Sequence, residues 1–466
     1  MNKKYFLAID IGASSGRHIL GSISDGKLVL EEIYRFKNGA VNKNGSLVWD
    51  IDNLFQSILE GLKECAKLNK IPYSVGIDTW GVDYALLDSS DKLIGDIFSY
   101  RDSRTSEVID EVHKILPYND YYSETGIQKQ VFNTIYQLYS DKKSGKIDKA
   151  ASFLMVPDYL QFLLTGKKAN DYSNASTTGL LNAKSRDWDR NVISELGLPD
   201  RLFNKLSEAG TVLGGFTEDV KKKVGFDSLV VLPATHDTAS AVMAVPIADD
   251  SSVYISSGTW SLIGIEAKDP NTDNSAMEAG YTNEGGYNNT IRFLKNIMGL
   301  WMIQCIKKEY NDKYSFTDFV KEAKGAEGFS SVVDVNDLSF FAPKSMVDAV
   351  KDYCKKTGQK VPETVGEIVL CVYLSLAIGY KNAINDLEKI TGKKFTKINI
   401  VGGGCQNVLL NELTAKYSGR KVITGPIEAT ATGNIIAQMI SAGVIKDLPA
   451  GRETIKKSFD ISEINL

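Results

Sequence analysis

The 466-residue chain carries little with which to build covalent cross-links or metal centres. Its five cysteines, at 65, 305, 354, 371 and 405, include no CxxC pair and no even framework. That excludes a zinc ribbon or a disulfide-stapled secreted scaffold, and reduced thiols of a cytoplasmic protein are expected. Cys354 and Cys371 would close a loop only if oxidised. Three histidines, at 18, 113 and 236, form no HExxH, which excludes the common zinc hydrolases. Positive charge is not in excess, with Lys plus Arg at 54 against 58 for Asp plus Glu and a net charge of −4. A phosphate backbone calls for clustered cations, so no nucleic-acid partner is expected. The basic run Lys221, Lys222 and Lys223 reads as a solvated helix face. No apolar run reaches the roughly 18 residues of a membrane span. The longest, Ile368 to Tyr380, reads as a buried helix. Asp10 interrupts the N-terminal apolar run too early for a secretory signal. No membrane partner and a cytoplasmic location are therefore expected.

No low-complexity segment or proline-rich linker divides the chain, but a weak internal repeat does. Tyr5 to Gly12 is an apolar strand, followed by Ala13-Ser14-Ser15-Gly16 and a second strand from Arg17 to Ile23. The pattern returns as Ser252 to Thr259 running into Trp260 to Ile265. Both read as β-hairpins with turns of glycine and small hydroxyl residues. Two related α/β domains follow, 1–247 and 248–466, with the boundary after Ala244-Val245-Pro246. Asn53 to Lys67 has helical spacing (Leu54, Ile58, Leu62), Val75 to Asp78 is a short strand, and Leu229 to Leu232 is a strand feeding a helix from about Thr238 to Val245. In the second half, a helix over Glu367 to Ile390 leads to a strand, Lys397 to Val401, and then to Gly402-Gly403-Gly404 and a helix from about Asn407. Such alternation predicts α/β layers, and two such domains offer a cleft between them for a ligand.

The chemistry-bearing candidates sit at strand ends. Consecutive glycines let backbone N–H groups approach an anion, and a following helix N-terminus favours negative charge. The glycine triplet and the turns around Ser14 and Thr259 together read as parts of one nucleotide site, although each alone is also a plausible tight turn. There is no GxxxxGK(S/T) and no GxGxxG, so neither a P-loop, a dinucleotide fold nor a protein kinase is supported. Asp10 ends a strand beside the first turn, where a carboxylate holds Mg²⁺ through water or merely shapes the turn. Asp237, in Ala234-Thr235-His236-Asp237-Thr238, suits a helix N-cap or a general base acting on a hydroxyl. Its βα loop is where α/β sheets keep ligands. His236 reads as a packing residue or a sugar ligand. Trp80, in Asp78-Thr79-Trp80-Gly81-Val82-Asp83, offers an indole to a sugar face or to the core, and Asn296 and Gln304 offer amides.

Seven ordered blocks carry a resemblance across nearly the whole chain. They are Asp10 to Arg17, Gly76 to Asp83, Tyr100 to Thr105, His236 to Ala241, Ser256 to Ser261, Lys295 to Trp301 and Val401 to Asn407. In these the chain resembles the FGGY family of carbohydrate kinases. The resemblance implies two actin-like, ribonuclease-H-like ATPase domains flanking a catalytic cleft, with Mg²⁺ and ATP as cofactor and co-substrate. It implies phosphorylation of a ketose, L-rhamnulose at its 1-hydroxyl in L-rhamnose catabolism, with L-fuculose or L-xylulose as alternative substrates. Asp237 is implied as the catalytic base. Ala13, Ser14, Ser15, Gly16, Arg17, Thr259, Gln304 and Gly402 match the family's ATP contacts. Gly81, His236, Asp237, Thr238 and Asn296 match its sugar contacts, and Asp10 its metal-directed carboxylate. Ala13 stands where many sugar kinases have threonine. A monomer or a homodimer would both fit.

Two other classes remain in view. Gly12-Ala13-Ser14-Ser15-Gly16 fits the GxSxG elbow of serine hydrolases, but that elbow needs earlier strands and a following helix, and Ser14 has neither in the pattern. An actin-like ATP-binding or sugar-sensing protein shares the fold class. Such a switch has no need of the His236-Asp237-Thr238 and Trp80 to Asp83 segments.

Overall fold

Residues 3–247 and 249–465 are described by the computed structural model. Ala248, at the expected domain boundary, lies outside the described residues. The chain packs as two compact units made of non-contiguous segments. The first comprises Met1–Ala244, Glu266–Phe293 and Ala429–Ser458, and the second Val245–Ile265, Leu294–Glu428 and Phe459–Leu466. No single cut in the sequence reproduces these units.

The first unit is built on a sheet whose strands run, edge to edge, Val212–Gly214, Leu229–Val231, Pro72–Thr79, Tyr5–Ile11, Ser15–Ser24 and Lys27–Lys37. Tyr5–Ile11 pairs antiparallel with Ser15–Ser24, as the hairpin pattern predicts, and parallel with Pro72–Thr79. Pro72–Thr79 pairs parallel with Leu229–Val231. The central strands are buried almost throughout, as expected where helices cover both faces. Leu7, Ile9, Val75, Ile77, Val230 and Leu232 form one core with Leu54, Ile58 and Leu62. Burying each such side chain is worth roughly 1.5–3 kcal/mol. Those three leucine and isoleucine residues lie on the helix Ile51–Lys67, capped by the Asp50 carboxylate accepting from the Asn53 amide. The sequence reading missed Lys27–Lys37 as a strand because its outer position leaves it largely exposed, without a clear apolar alternation.

A second core in this unit surrounds Tyr84, Phe153, Trp188 and Phe203 in a helix-rich segment. The helix Ala429–Ser441 comes from the far end of the chain and packs on Tyr5–Ile11, Pro72–Thr79 and the short helix Asp237–Met243. Two helices approach closely at Gly433, where an added Cβ would lie 1.8 Å from the Ser240 carbonyl oxygen.

The second unit repeats the plan. Ser252–Ser257 pairs antiparallel with Trp260–Ala267 and parallel with Lys397–Val401, which pairs parallel with Lys421–Thr424. Hairpin first, parallel strands after, is the connectivity of the first unit, so the expected repeat is real. The buried helix expected over the long apolar stretch is Val365–Thr391, opened by a Thr364–Glu367 capping box and closed by left-handed Gly392. It is long and apolar enough to cross a membrane, yet 72% of its most apolar window is buried within the protein. Cys65, Cys354, Cys371 and Cys405 are free thiols, so the loop between Cys354 and Cys371 is not closed by a disulfide.

Gly433→Ala is expected to lower stability by about 1–3 kcal/mol, because backbone, which cannot swing aside, occupies the space a methyl needs. Urea unfolding at neutral pH measures it, with Gly443→Ala as a control that meets no atom within 4 Å but sits at positive φ.

Candidate active site

Three adjacent parallel strands of the first unit end at one edge, and each brings a carboxylate or leads to one. Asp10 and Asp78 are register partners on neighbouring strands. Thr79 then bridges to His236, with its amide donating to the Thr235 carbonyl at 2.9 Å. Asp237 follows as the first residue of the helix Asp237–Met243. Ligands of open α/β sheets collect at such carboxyl ends.

The helix-cap reading of Asp237 does not hold. His236 occupies the cap position, no side chain caps the helix, and the Ala239 and Ser240 amides donate to the His236 carbonyl. The Asp237 carboxylate is instead held from one side. Its Oδ1 accepts from the Thr238 amide at 2.5 Å and from Thr238 Oγ1 at 3.1 Å, and His236 Nε2 stands 3.3 Å away. Among the described residues nothing donates to Oδ2, and the side chain keeps 32% of its surface exposed. Enclosure first, and the Asp10 carboxylate second, push its pKa up to about 7.

The neighbouring acids are treated differently. Asp10 Oδ2 accepts from Arg17 Nη2 at 2.6 Å, across the hairpin from which both project. Asp78 is fully buried, and that burial, then Asp10, holds its carboxyl well above the usual range. Asn434, reaching up from Ala429–Ser441, donates to Asp78 Oδ2 at 2.5 Å and to the Gly76 carbonyl at 3.1 Å. Asp78 Oδ1 is buried without a hydrogen-bond partner among the described residues.

His236 is fixed from behind. Its Nδ1 lies 3.0 Å from Arg292 Nη2 and 3.5 Å from Glu284 Oε2. Burial, and then the Arg292 charge, keep the ring far below the ordinary histidine value and so neutral. Gly81 packs against Thr177, whose hydroxyl accepts from the Val82 amide at 3.0 Å. Val82 has φ +69, a conformation a β-branched residue adopts at a cost on the order of 1–3 kcal/mol. Thr134 and Gln137 donate to its carbonyl and hold it there. Trp80 does not present its indole to a ligand. It packs at a tilt against Trp49 with centroids 4.1 Å apart and donates to Asp83, which also accepts from Trp49, Tyr100 and Gln137. The core reading of Trp80 is the right one, since the side chain is buried among the residues of the first core with its N–H already taken by Asp83.

In the turn after Tyr5–Ile11, the Gly12 amide donates to the Ser15 carbonyl, and Asn38 donates to the Gly12 carbonyl. Ser14 is exposed at its tip, Ala13 and Ser15 are half-buried, and Gly16 is buried beneath the Phe36 ring, where a Cβ would lie 2.1 Å from it.

The second unit assembles its own group. Thr259 follows Ser252–Ser257, and its hydroxyl approaches Gln304 Oε1 at 3.5 Å. The Thr259 carbonyl accepts from the Trp301 amide and so anchors the helix Trp301–Glu309, which carries Gln304. Gly402 ends the adjacent parallel strand at φ +84, and Gly404 packs against Ser257, whose hydroxyl would lie 2.0 Å from an added Cβ. Gly403 meets nothing within 4 Å. Asn296 is half-buried on the strand Ile291–Met298. Sequence reasoning missed Asp78, Glu284, Arg292 and Asn434 as site residues. Arg292 left a signal, since a lone arginine in the apolar run Ile291 to Leu294 has to be paired if buried.

Comparison with known proteins gives this arrangement a lineage. Residues 5–244 match the N-terminal domain of the FGGY family of carbohydrate kinases, and residues 253–442 match its C-terminal domain. The chain is 50% identical over 459 residues to a rhamnulokinase of Halalkalibacterium halodurans, covering 98% of each. It is 45% identical to the rhamnulokinase of Bacillus subtilis, covering 98% of this chain and 94% of the other. In fold it is similar to gluconate kinase from Lactobacillus acidophilus, with a TM-score of 0.82 at 18% identity, over 100% of this chain and 94% of that one. A xylulose kinase from the same organism gives 0.80 at 18% identity, over 99% and 94%. The chain, whose carboxylates gather at the strand ends described above, belongs to the FGGY family of carbohydrate kinases.

Proposed function

We propose that this chain transfers the γ-phosphoryl group of ATP to the 1-hydroxyl of L-rhamnulose, giving L-rhamnulose 1-phosphate and ADP in the breakdown of L-rhamnose. Relatives described as rhamnulokinases, 39–50% identical over 98% of the chain, support the substrate. The observation that carries the chemistry is the Asp237 carboxylate. One oxygen is saturated by Thr238 and faced by His236, and the other accepts from no described residue. A base so held cannot swivel, and Oδ2 is the atom that takes the proton of the attacking hydroxyl. A new bond forms from the sugar's 1-hydroxyl oxygen to the γ-phosphorus as the bond to the β–γ bridging oxygen breaks. Such a transition state is loose, so positioning and charge stabilisation supply most of the acceleration.

Gly81, His236, Asp237, Thr238 and Asn296 are the sugar contacts in this reading. Ala13, Ser14, Ser15, Gly16, Arg17, Thr259, Gln304 and Gly402 are the ATP contacts. Asp10 directs the metal. Among the described residues no group of three or more His, Cys, Asp or Glu side chains forms a metal cage. Asp10 beside Asp78, with an unpartnered buried Oδ1, instead suits Mg²⁺ arriving with its nucleotide, since this ion takes one or two carboxylates and keeps waters and phosphates. Bound there, Mg²⁺ would offset phosphate charge and would favour the ionised form of Asp78. Free thiols at Cys65, Cys354, Cys371 and Cys405 fit a cytoplasmic location.

Asp237→Asn is expected to lower kcat by roughly 10²–10⁴-fold while leaving ATP affinity within a few-fold. A coupled ADP-release assay and calorimetric ATP titration measure the two, and activity within about tenfold of the parent would remove Asp237 as the base. In a ketose panel run with and without Mg²⁺, L-rhamnulose should give the highest kcat/KM. A higher value for L-fuculose or L-xylulose would reassign the substrate.

The raised pKa of Asp237 carries two pH predictions. Because the base works ionised, kcat/KM should rise with pH through about 7, and Asp10→Asn should move the residual acid limb downward. For stability the sign is opposite. A carboxyl whose pKa is raised by folding favours the fold while protonated, an advantage present below about pH 4 and lost as pH rises through about 7. Asp237→Asn should therefore raise Tm relative to the parent at pH 8 and not at pH 4, as melting curves at the two values would show.

A further inference from the structure

Arg292 and Glu284 lie behind the site, on residues that the sequence reading assigned no role. Arg292 is fully buried, and Glu284 is nearly so. Arg292 Nε donates to the Gly285 carbonyl at 2.8 Å, and Nη2 stands 3.1 Å from Glu284 Oε2. Among the described residues, Arg292 Nη1 and Glu284 Oε2 have no partner of hydrogen-bond geometry. A buried ion pair left this incomplete is poor evidence for a stabilising device, because desolvation rivals its Coulombic gain.

The remaining contact gives the pair a purpose. A guanidinium has only donors and does not lose its proton in a protein. His236 Nδ1, at 3.0 Å from Arg292 Nη2, therefore has to be the acceptor. The ring proton is then confined to Nε2, the nitrogen facing Asp237 Oδ1 at 3.3 Å. We propose that Arg292 is a positioning residue that sets the tautomer of His236, so that a neutral ring turns its N–H toward Oδ1 and leaves Oδ2 as the proton acceptor. Glu284 balances the guanidinium charge. With the opposite tautomer, a lone pair would face the carboxylate and push its charge away from the position where the base works. The charged groups facing the ring are Arg292, Glu284 and Asp237. The catalytic consequence rests on the reading of Asp237 as base, whereas the tautomer itself does not.

The test uses the full-length protein labelled with ¹⁵N-histidine, which carries only three such residues. Two-bond ¹⁵N–¹H correlation spectra distinguish a protonated from an unprotonated ring nitrogen, and the signal lost in His236→Gln identifies the ring. The expected result is a neutral His236 with its proton on Nε2 from pH 6 to 8. A proton on Nδ1, or a cationic ring, overturns the proposal without any variant having to fold. The double variant Arg292→Gln/Glu284→Gln removes both charges together, and its amide both donates and accepts, so the tautomer is no longer imposed. We expect mixed tautomers, kcat lower by about 10–100-fold, KM for ATP unchanged, and a new loss of kcat/KM below about pH 6.5 as the ring becomes able to protonate. An Nε2 proton retained with parental kcat in that variant overturns the role. Should Asp237→Asn stay active while the tautomer is as stated, the base reading fails and the ring geometry stands. Should the tautomer be wrong while Asp237→Asn is inactive, only this proposal fails.

Discussion

Carboxylates brought together in a protein interior repel one another, and the first unit is organised around tolerating that repulsion. Asp10, Asp78 and Asp237 meet because three parallel strands end in register at one edge. Each is relieved by a different means. Arg17 pairs with Asp10 across the hairpin, Asn434 donates to Asp78 from below, and Thr238 donates to Asp237 from its own helix. What is left over is a raised proton affinity at Asp78 and Asp237, each caused first by burial and second by Asp10. An edge of this kind is poorly suited to rest and well suited to a cation or a proton, the two things phosphoryl transfer to a hydroxyl brings.

The same constraint accounts for the interleaving of the chain. Ala429–Ser441 is distant in sequence from Asp78, yet by packing against the central strands it places the Asn434 amide beside a fully buried carboxylate. Gln438 extends the contact, donating to the Leu7 carbonyl and to Asn434 and accepting from Ser74. Close approach at Gly433 is what brings this helix against Asp237–Met243. The segment Glu266–Phe293 belongs to the first unit for a parallel reason, since it supplies Glu284 and Arg292 to the back of His236.

Solved kinases of gluconate and xylulose share this fold at 18% identity. One fold carrying different sugars means that the fold by itself does not choose a substrate, a choice that falls to the polar groups of a binding site. Buried donors and acceptors penalise a sugar that leaves them unpaired, which is why a rigid wall is useful there. Asp83, gripping two indoles, a backbone amide and Gln137, and Val82, pinned in a left-handed conformation, make the stretch beside Gly81 rigid.

Local patterning by itself determined the two hairpins, their repetition, the parallel strands that follow and the long buried helix, because apolar period and turn residues act over a few positions. Seven ordered blocks likewise determined the family, and with it the candidates Asp10, His236 and Asp237. Tertiary structure alone decided that Asp237 does not cap its helix, that Trp80 belongs to the core, that Asn434 meets Asp78, and that Glu284 and Arg292 meet His236. Those outcomes depend on groups far apart along the chain meeting in a buried, weakly screened space, where a partner a few ångströms away sets charge and tautomer. Neither composition nor spacing records such a distance.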